Sequence, residues 1–408
     1  MSKKNTILIS LAAAAAASLL TFQITALTLG TRYKRELDLQ QSSDLAVLGD
    51  KLKLVEQYYN DYYIGEWDQG ESEKAVLNAF IASTGDRYGY YFSAEEYEAF
   101  LSDINGEMQG IGVLVVYNQE QELPEIAAVM PDSPALEADV RVGDLLVEVN
   151  GESCAELGYT ESVNAMIGKS GTTAVFTVTR GENYAERVEK TVTRREVTSL
   201  TVLSHMYEED GLKLGVLKLL EFNGATPKQF ESAVNTLLAQ GAQGLIMDVR
   251  NNPGGELQSV LNILDSLVPE GILIRITDAS GEETTYSSDA RELNTPMAVL
   301  VNGQSASAAE LFSGTLRDYG KAFLVGTQTY GKGSMQTSMT LPDQSAIKFT
   351  YRKYSPPITE NYDGVGLTPD VVVELSEEAS QKSLYIIADQ EDNQLMAAVE
   401  KLREQIVQ

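Results

Sequence analysis

The chain of 408 residues is poor in three things that carry chemistry in other proteins. It has one cysteine, Cys154, which excludes an intrachain disulfide and any thiolate metal cluster. It has one histidine, His205, lying between a strand-like run and an acidic turn. A histidine triad or metal site needs local partners that are missing there, so His205 reads as a surface or structural residue. Positive charge is scarce as well: 31 Lys and Arg face 59 Asp and Glu, a net charge of −28. That balance argues against nucleic acid or anionic lipid as the partner. No metal or organic cofactor is implied. The turn Pro253-Gly254-Gly255 lacks the Gly-Lys-Ser/Thr ending of a phosphate loop.

The chain is long enough for several domains, and its apolar share is ordinary for a packed globular protein. An apolar run, Thr6 to Gly30, follows Lys3 and Lys4 and is long enough to span a bilayer. A cleaved signal peptide is the alternative, but the run exceeds a usual h-region and Ala26-Leu27-Thr28 is a poor cleavage site. The reading favoured is an uncleaved single-pass anchor. Flanking charges leave its orientation open, yet a long acidic body after one N-terminal span is usually carried across. The body is therefore expected outside the cytoplasm, at a bacterial cell surface or in a periplasm.

Residues 36–106 read as helical. Leu45, Leu48, Leu52, Val55, Tyr59 and Tyr62 make one apolar seam, suited to packing on its own domain or on a second copy. Ser93-Ala94-Glu95-Glu96 is a capping-box helix start, and the aromatics Tyr88, Tyr90, Tyr91 and Phe92 read as core.

From Met108 the pattern turns to β. Gly110-Ile111-Gly112-Val113 heads an alternating strand, Pro131-Asp132-Ser133-Pro134-Ala135 opens a short helix, and Val142 to Gly151 gives strand, turn and strand. Together these resemble a PDZ domain. The resemblance implies that Gly110, Ile111, Gly112 and Val113 form a loop whose backbone N–H groups hold a peptide's terminal carboxylate, the peptide adding as a strand.

Beyond about residue 195, strands and helices alternate. Thr226-Pro227 reads as an N-cap and a first-turn proline. Three turns stand out, each after an expected parallel strand: Arg250 to Gly255, Ser305-Ala306-Ser307, and Gly331-Lys332-Gly333 with Gln336 beyond. All three can meet at the carboxyl edge of one α/β sheet. A serine at a strand-to-helix turn and a lysine fed into a cramped site meet the needs of a Ser–Lys nucleophile–base pair. The C-terminal helix from Asp392 carries Leu395, Val399, Leu402 and Ile406 on one face and must dock.

The motifs DVRNNPGG, NGQSASAAE and YGKGSMQ, in this order and behind a PDZ-like segment, resemble the C-terminal processing peptidases, or tail-specific proteases. The resemblance implies a multidomain α/β protein with a crotonase- or Clp-like βα core and an inserted PDZ domain. The expected divisions are 1–34 for the anchor, 35–106 helical, 107–193 PDZ, 194–378 protease core and 379–408 a C-terminal helical segment. It implies Ser307, not Ser305, as nucleophile, Lys332 as base, Gln336 as its orienting partner, and an oxyanion hole from Ala308 and either Gly254 or Gly255. Asp318 matches an acidic position that matters in some members and is assigned a structural role. The stretch Ile358 to Tyr362 replaces the family's usual glycine-arginine segment. The implied partners are protein substrates with free, apolar C-termini, with a homodimer through the terminal helices left open. The rival readings are a catalytically silent, membrane-tethered PDZ protein and a crotonase-like acyl-CoA enzyme; the latter explains neither the PDZ segment nor the Ser–Lys pair.

Overall fold

The computed structural model describes residues 44–407. The apolar run Thr6–Gly30 lies outside them, and among the described residues no helix is long and apolar enough to cross a membrane. Two units divide at Ser72 and Glu73. In the first, the helix Asp44–Tyr62 carries the expected seam. Its Tyr59 ring packs against Tyr63 at 5.2 Å and Trp67 at 6.5 Å between centroids.

The second unit is built on a six-stranded sheet. Val202–Glu209 and Leu212–Leu219 pair antiparallel; Gly244–Asp248, Met297–Val301, Ala322–Gly326 and Val371–Val372 then follow in parallel. Strands Gly244–Asp248 and Met297–Val301 are buried at every residue, as continuous apolar runs covered on both faces should be. Helices Thr226–Ala239, Leu257–Leu267 and Ala308–Asp318 supply one layer. The C-terminal helix Asn393–Val407 supplies the other, packing Leu395, Val399 and Leu402 onto Val216, Ile246, Ala298 and Val325. Its apolar face thus docks on the central sheet.

A second sheet orders Tyr90–Phe92, Ala346–Ser355, Gly271–Asp278 and Glu283–Ser288, with Ser334–Thr340 also on Ala346–Ser355. Here the expectation of an all-helical 36–106 needs amending. Tyr90–Phe92 is a strand, paired Tyr90 to Lys348 and Phe92 to Ala346, because its aromatic run matches a half-buried pleated surface. The helix Ala94–Asn105 after it has the predicted Ser93–Glu96 capping box. The cap expected at Thr226 moves to Ala225; the Thr226 hydroxyl instead accepts the Asn223 N–H at 2.9 Å.

The β-rich module between these parts has strands in the order Val113–Asn118, Leu123–Val129, Leu145–Val149, Thr173–Arg180 and Glu186–Thr193, around its own core of Ile126, Leu146, Phe176 and Val178. Its entry strand, Glu107–Gly110, pairs with its exit strand, Arg195–Thr198, so the module leaves and rejoins the chain at one place. Gly112 has φ +81°, and a Cβ there would lie 2.4 Å from Ser133 Cβ, so only glycine fits. The organisation is α/β and multidomain, as the sequence predicts.

Candidate active site

The three turns do meet. Their strands are neighbours in one parallel register, Leu245 opposite Met297 and Val301 opposite Gly326. Hydrogen bonds then tie turn to turn. The Asn251 N–H donates to Asn302 Oδ1 at 3.0 Å and Asn302 Nδ2 to Asn251 Oδ1 at 2.8 Å. The Ala306 N–H donates to the Asn252 carbonyl at 3.0 Å, and the Tyr330 N–H to the Ser305 carbonyl at 3.0 Å.

The two serines separate cleanly. Ser305 is fully buried, donates its hydroxyl to the Val249 carbonyl at 2.7 Å and accepts the Asn302 N–H at 2.9 Å. Ser307 lines an open cleft of about 480 Å³ together with Lys332. Its backbone sits at φ +56°, which a residue with a Cβ adopts only when its surroundings hold it there.

What holds it is Glu310, a fully buried carboxylate that the sequence reading did not single out. Glu310 Oε2 accepts the N–H of Ser307 at 2.9 Å and of Lys332 at 2.8 Å. Oε1 accepts the N–H of Gly331 at 2.8 Å and the Thr329 hydroxyl at 2.5 Å. One oxygen therefore grips the backbone of both Ser307 and Lys332. Burial raises the Glu310 pKa, and its four donors only partly oppose this.

Lys332 is half-buried. The glycines on either side let the loop 361–366 close on it: a Cβ on Gly331 would lie 2.8 Å from the Gly366 nitrogen, and one on Gly333 2.7 Å from Asn361 Nδ2. Burial lowers the lysine pKa and the nearby Lys348 lowers it further, while Glu310 and Asp363 pull the other way. Its Nζ lies 4.5 Å from the centroid of the Tyr88 ring and makes no hydrogen bond to Ser307 Oγ among the described contacts. Tyr88, grouped by sequence with a core cluster, thus forms a wall of the site. Its relatives Tyr91 and Phe92 are buried as expected.

Gln336 lines the same cleft but makes no hydrogen bond to Lys332 among the described contacts; Nε2 donates to Thr350 Oγ1 at 3.2 Å. Ala308 begins its helix, and its N–H has no acceptor among the described residues. Gly254 is buried, and its N–H already donates to Asn252 Oδ1 at 2.8 Å. Gly255 is exposed, lines the cleft and has no such commitment. One wall is apolar, from Tyr97, Phe100, Leu101 and Ile104 of the helix Ala94–Asn105 with Leu257 and Leu311, while Glu256, Ser334, Thr337, Ser338 and Lys348 make the rest polar. Sequence reasoning missed the apolar wall; only the amphipathic spacing of that helix signalled it.

Asp318 stands apart. Its carboxylate accepts the N–H groups of Ile358 and Thr359, each at 2.7 Å, and so holds the loop from Ile358 to Tyr362. Asn361 in that loop donates Nδ2 to the Gly333 carbonyl at 2.8 Å, bracing the lysine turn from behind. His205 is on the surface, with Nε2 2.9 Å from both oxygens of Asp389. In the β-rich module Ile111 is buried, and the N–H groups of Ile111 and Gly112 find no acceptor among the described residues. Their carbonyls accept from Ala135 and Met130.

Comparison with known proteins gives a consistent picture. Residues 213–373 match the model of peptidase family S41, and residues 125–180 that of the PDZ domain. A carboxyl-terminal-processing protease of Picosynechococcus sp. is 32% identical over 299 residues, covering 73% of this chain and 72% of that protein. A Staphylococcus saprophyticus protein named "Probable CtpA-like serine protease" is 29% identical over 355 residues, covering 85% and 70%. In fold, a Bacteroides fragilis structure named "Putative S41 protease" superposes with a TM-score of 0.59 at 19% identity, covering 84% of this chain and 93% of that one.

Proposed function

The chain belongs to peptidase family S41 as a carboxyl-terminal-processing serine protease with a PDZ domain, and from that premise we propose that it is a membrane-anchored, extracytoplasmic endopeptidase working through a Ser307–Lys332 acyl-enzyme. The observation that carries the dyad is the single Glu310 oxygen bonded to the backbone N–H of both residues. It fixes their separation whatever the side chains do.

In this reading the Lys332 side chain swings from the Tyr88 face toward Ser307. The neutral amine takes the Ser307 hydroxyl proton as Oγ bonds to a peptide carbonyl carbon. The resulting oxyanion accepts from the N–H groups of Ala308 and Gly255, a contribution of about 3 kcal/mol per donor. The uncommitted state of the Gly255 N–H favours it over Gly254. The lysine ammonium then protonates the leaving amine as the C–N bond breaks. A water, deprotonated by the same amine, attacks the acyl-enzyme and restores Ser307. Gln336 is assigned to orient Lys332 once the lysine has moved; in its present rotamer it serves Thr350.

The apolar cleft wall favours apolar residues beside the cut bond, and the unpaired N–H groups of the Gly110–Val113 turn suit a substrate's terminal carboxylate. The substrates are then proteins with free, apolar C-termini. The paired strands Glu107–Gly110 and Arg195–Thr198 support a PDZ insertion over 107–193, with the core resuming at 194. The Thr6–Gly30 run is assigned as the single-pass anchor. Of the terminal helices weighed as a seat for a second copy, Asn393–Val407 is already docked on the central sheet, while Asp44–Tyr62 leaves Leu48, Leu52, Val55 and Tyr59 exposed. Sedimentation tests whether a dimer forms.

Incubation with an unfolded protein of apolar C-terminus tests the reading. Wild type should cleave it, and Ser307→Ala and Lys332→Arg, both folded, should not, since arginine stays charged at any working pH. Cleavage retained by either variant would remove that residue from the chemistry.

A further inference from the structure

The cleft holds a second lysine that the mechanism above does not use. Lys348 lies on the strand Ala346–Ser355, half-buried, and lines the same cleft as Ser307 and Lys332. It also shares with Lys332 an adjoining cavity of about 600 Å³ walled by Tyr88, Tyr90 and Phe92. Lys348 Nζ lies 5.3 Å from the ring centroids of both Phe92 and Phe100, as Lys332 Nζ lies 4.5 Å from that of Tyr88. Ring faces displace water without offering an acceptor, so both amines are thinly hydrated and the charge of one bears on the other, Lys348 lowering the Lys332 pKa. Two such groups share their protons as a pair, and the second charge is the hard one to keep.

We propose that Lys348 is the cation that drives the proton off Lys332, with Asp86 holding the remaining charge on Lys348. Acting through Lys332, it is a positioning residue, and the proposal rests on the Ser307–Lys332 reading. The Asp86 carboxylate accepts the Thr350 N–H at 2.7 Å, the Thr350 hydroxyl at 2.8 Å and the Tyr88 N–H at 3.0 Å. Despite burial, these donors keep Asp86 ionised to lower pH than usual. Thr350 stands two residues from Lys348 on one strand, on the same face, which puts Asp86 on the Lys348 side. Burial lowers the Lys348 pKa too, and Asp86 is the group that opposes this.

The other charges facing the pair divide unequally. Glu310 and Asp363 favour a charged Lys332, but Glu310 already has four donors and Asp363 accepts the Gly333 N–H at 3.0 Å. Glu96 of the adjoining cavity is paired with Lys74. Arg87, 5.5 Å from the Tyr88 ring, adds positive charge. Glu256, its pKa raised by burial, and Tyr97 line the cleft as well, and the phenols of Tyr88, Tyr90, Tyr330 and Tyr354 lie around the pair.

The test is the pH dependence of kcat/KM for a tail peptide in wild type, Lys348→Met and Lys348→Arg. In Lys348→Met the acid limb should move up by about one pH unit, about tenfold in rate on that limb, and the plateau should be reached only at higher pH. Lys348→Arg should keep the wild-type midpoint. A Met profile that overlays wild type, or a change in KM alone, overturns the proposal. A second measurement needs no activity and no change at Lys348. In Ser307→Ala protein with 13C-labelled lysine, Lys332 should lose its proton at lower pH than Lys348, and the reverse order overturns the proposal. If Lys332→Arg proved active, the Ser–Lys reading would fall first; an inert Lys332→Arg beside an unshifted Lys348→Met would sink this inference alone.

Discussion

Two buried carboxylates, one on each side of the central sheet, are solved in opposite ways. Asp248 faces Arg250, whose guanidinium reaches it at 2.7 Å and Asp392 at 2.6 Å, both ends being nearly inaccessible to solvent. Burial works against the ionised Asp248, but the charge and hydrogen bonds of Arg250 and the charge of Lys218 together outweigh it, and the pKa falls below the usual value. Glu310 makes no ion pair among the described residues. Four donors from two turns take its oxygens, and burial leaves its pKa raised. The first arrangement neutralises charge and ties the C-terminal helix to the sheet through Asp392. The second spends stability to hold Ser307 and Lys332 in register. A fold can thus be secured at its back and strained at its front.

The largest expected effect breaks the back. Arg250→Met leaves Asp392 buried without its guanidinium partner and Asp248 with only Lys218 at 3.8 Å, and should cost about 3–5 kcal/mol, read by urea unfolding. Retained stability would show that the pair matters little. Next comes the front. Glu310→Gln replaces one acceptor oxygen by a donor facing N–H groups, and kcat should fall about 10²–10³-fold, as when a positioning contact is lost. Its melting temperature should not fall, since an ionised buried carboxylate has been removed. Loss of stability equal to that of Arg250→Met would erase the contrast.

Acid separates the two more finely. The raised Glu310 pKa means that protonation favours the folded state; that contribution is full below the unfolded carboxyl value of 4.5 and lost as pH rises through the folded one. The lowered Asp248 pKa means stability present above 3.8 and lost as pH falls through its folded value. Activity, needing neutral Lys332, should fall first as pH drops through the lowered lysine pKa. Melting temperatures and kcat/KM on the same samples should therefore diverge as pH falls through the lowered Lys332 pKa, activity lost and stability held until Asp248 takes up its proton below 3.8. Parallel decline would contradict this. The smallest effect is at Asp318: Asp318→Ala frees the Ile358 and Thr359 N–H groups and should cost about 1–2 kcal/mol in the same unfolding assay, with little loss of kcat.

Much of this was legible in residue order. The three turns lie on consecutive parallel strands, and strand-to-turn patterning is local. The PDZ-like module was legible for the same reason, its Gly112 and Ser133 turn being set by short-range sterics. The rest depended on pairings across the chain. Asp86 and Thr350 are 264 residues apart, so nothing near Tyr88 revealed that its ring would lie under Lys332. What separates Gly254 from Gly255 as the proposed oxyanion donor is the rotamer of Asn252, which engages the Gly254 N–H and is invisible in the sequence. Glu310 was visible as a helix-start residue, but its role came from the lysine loop folding back onto it. Gln336 was legible as a cleft residue, and its present partner Thr350 was not.

The most direct measurement is the rate at which a fluorophosphonate modifies Ser307 as pH is varied, in wild type and in Lys332→Met, with the site located by mass spectrometry. Deprotonated by its neighbour, Ser307 should react along a single titration that rises with pH, and at least about 10²-fold more slowly in the variant. Equal rates in the two proteins, or label on another serine, would contradict the account.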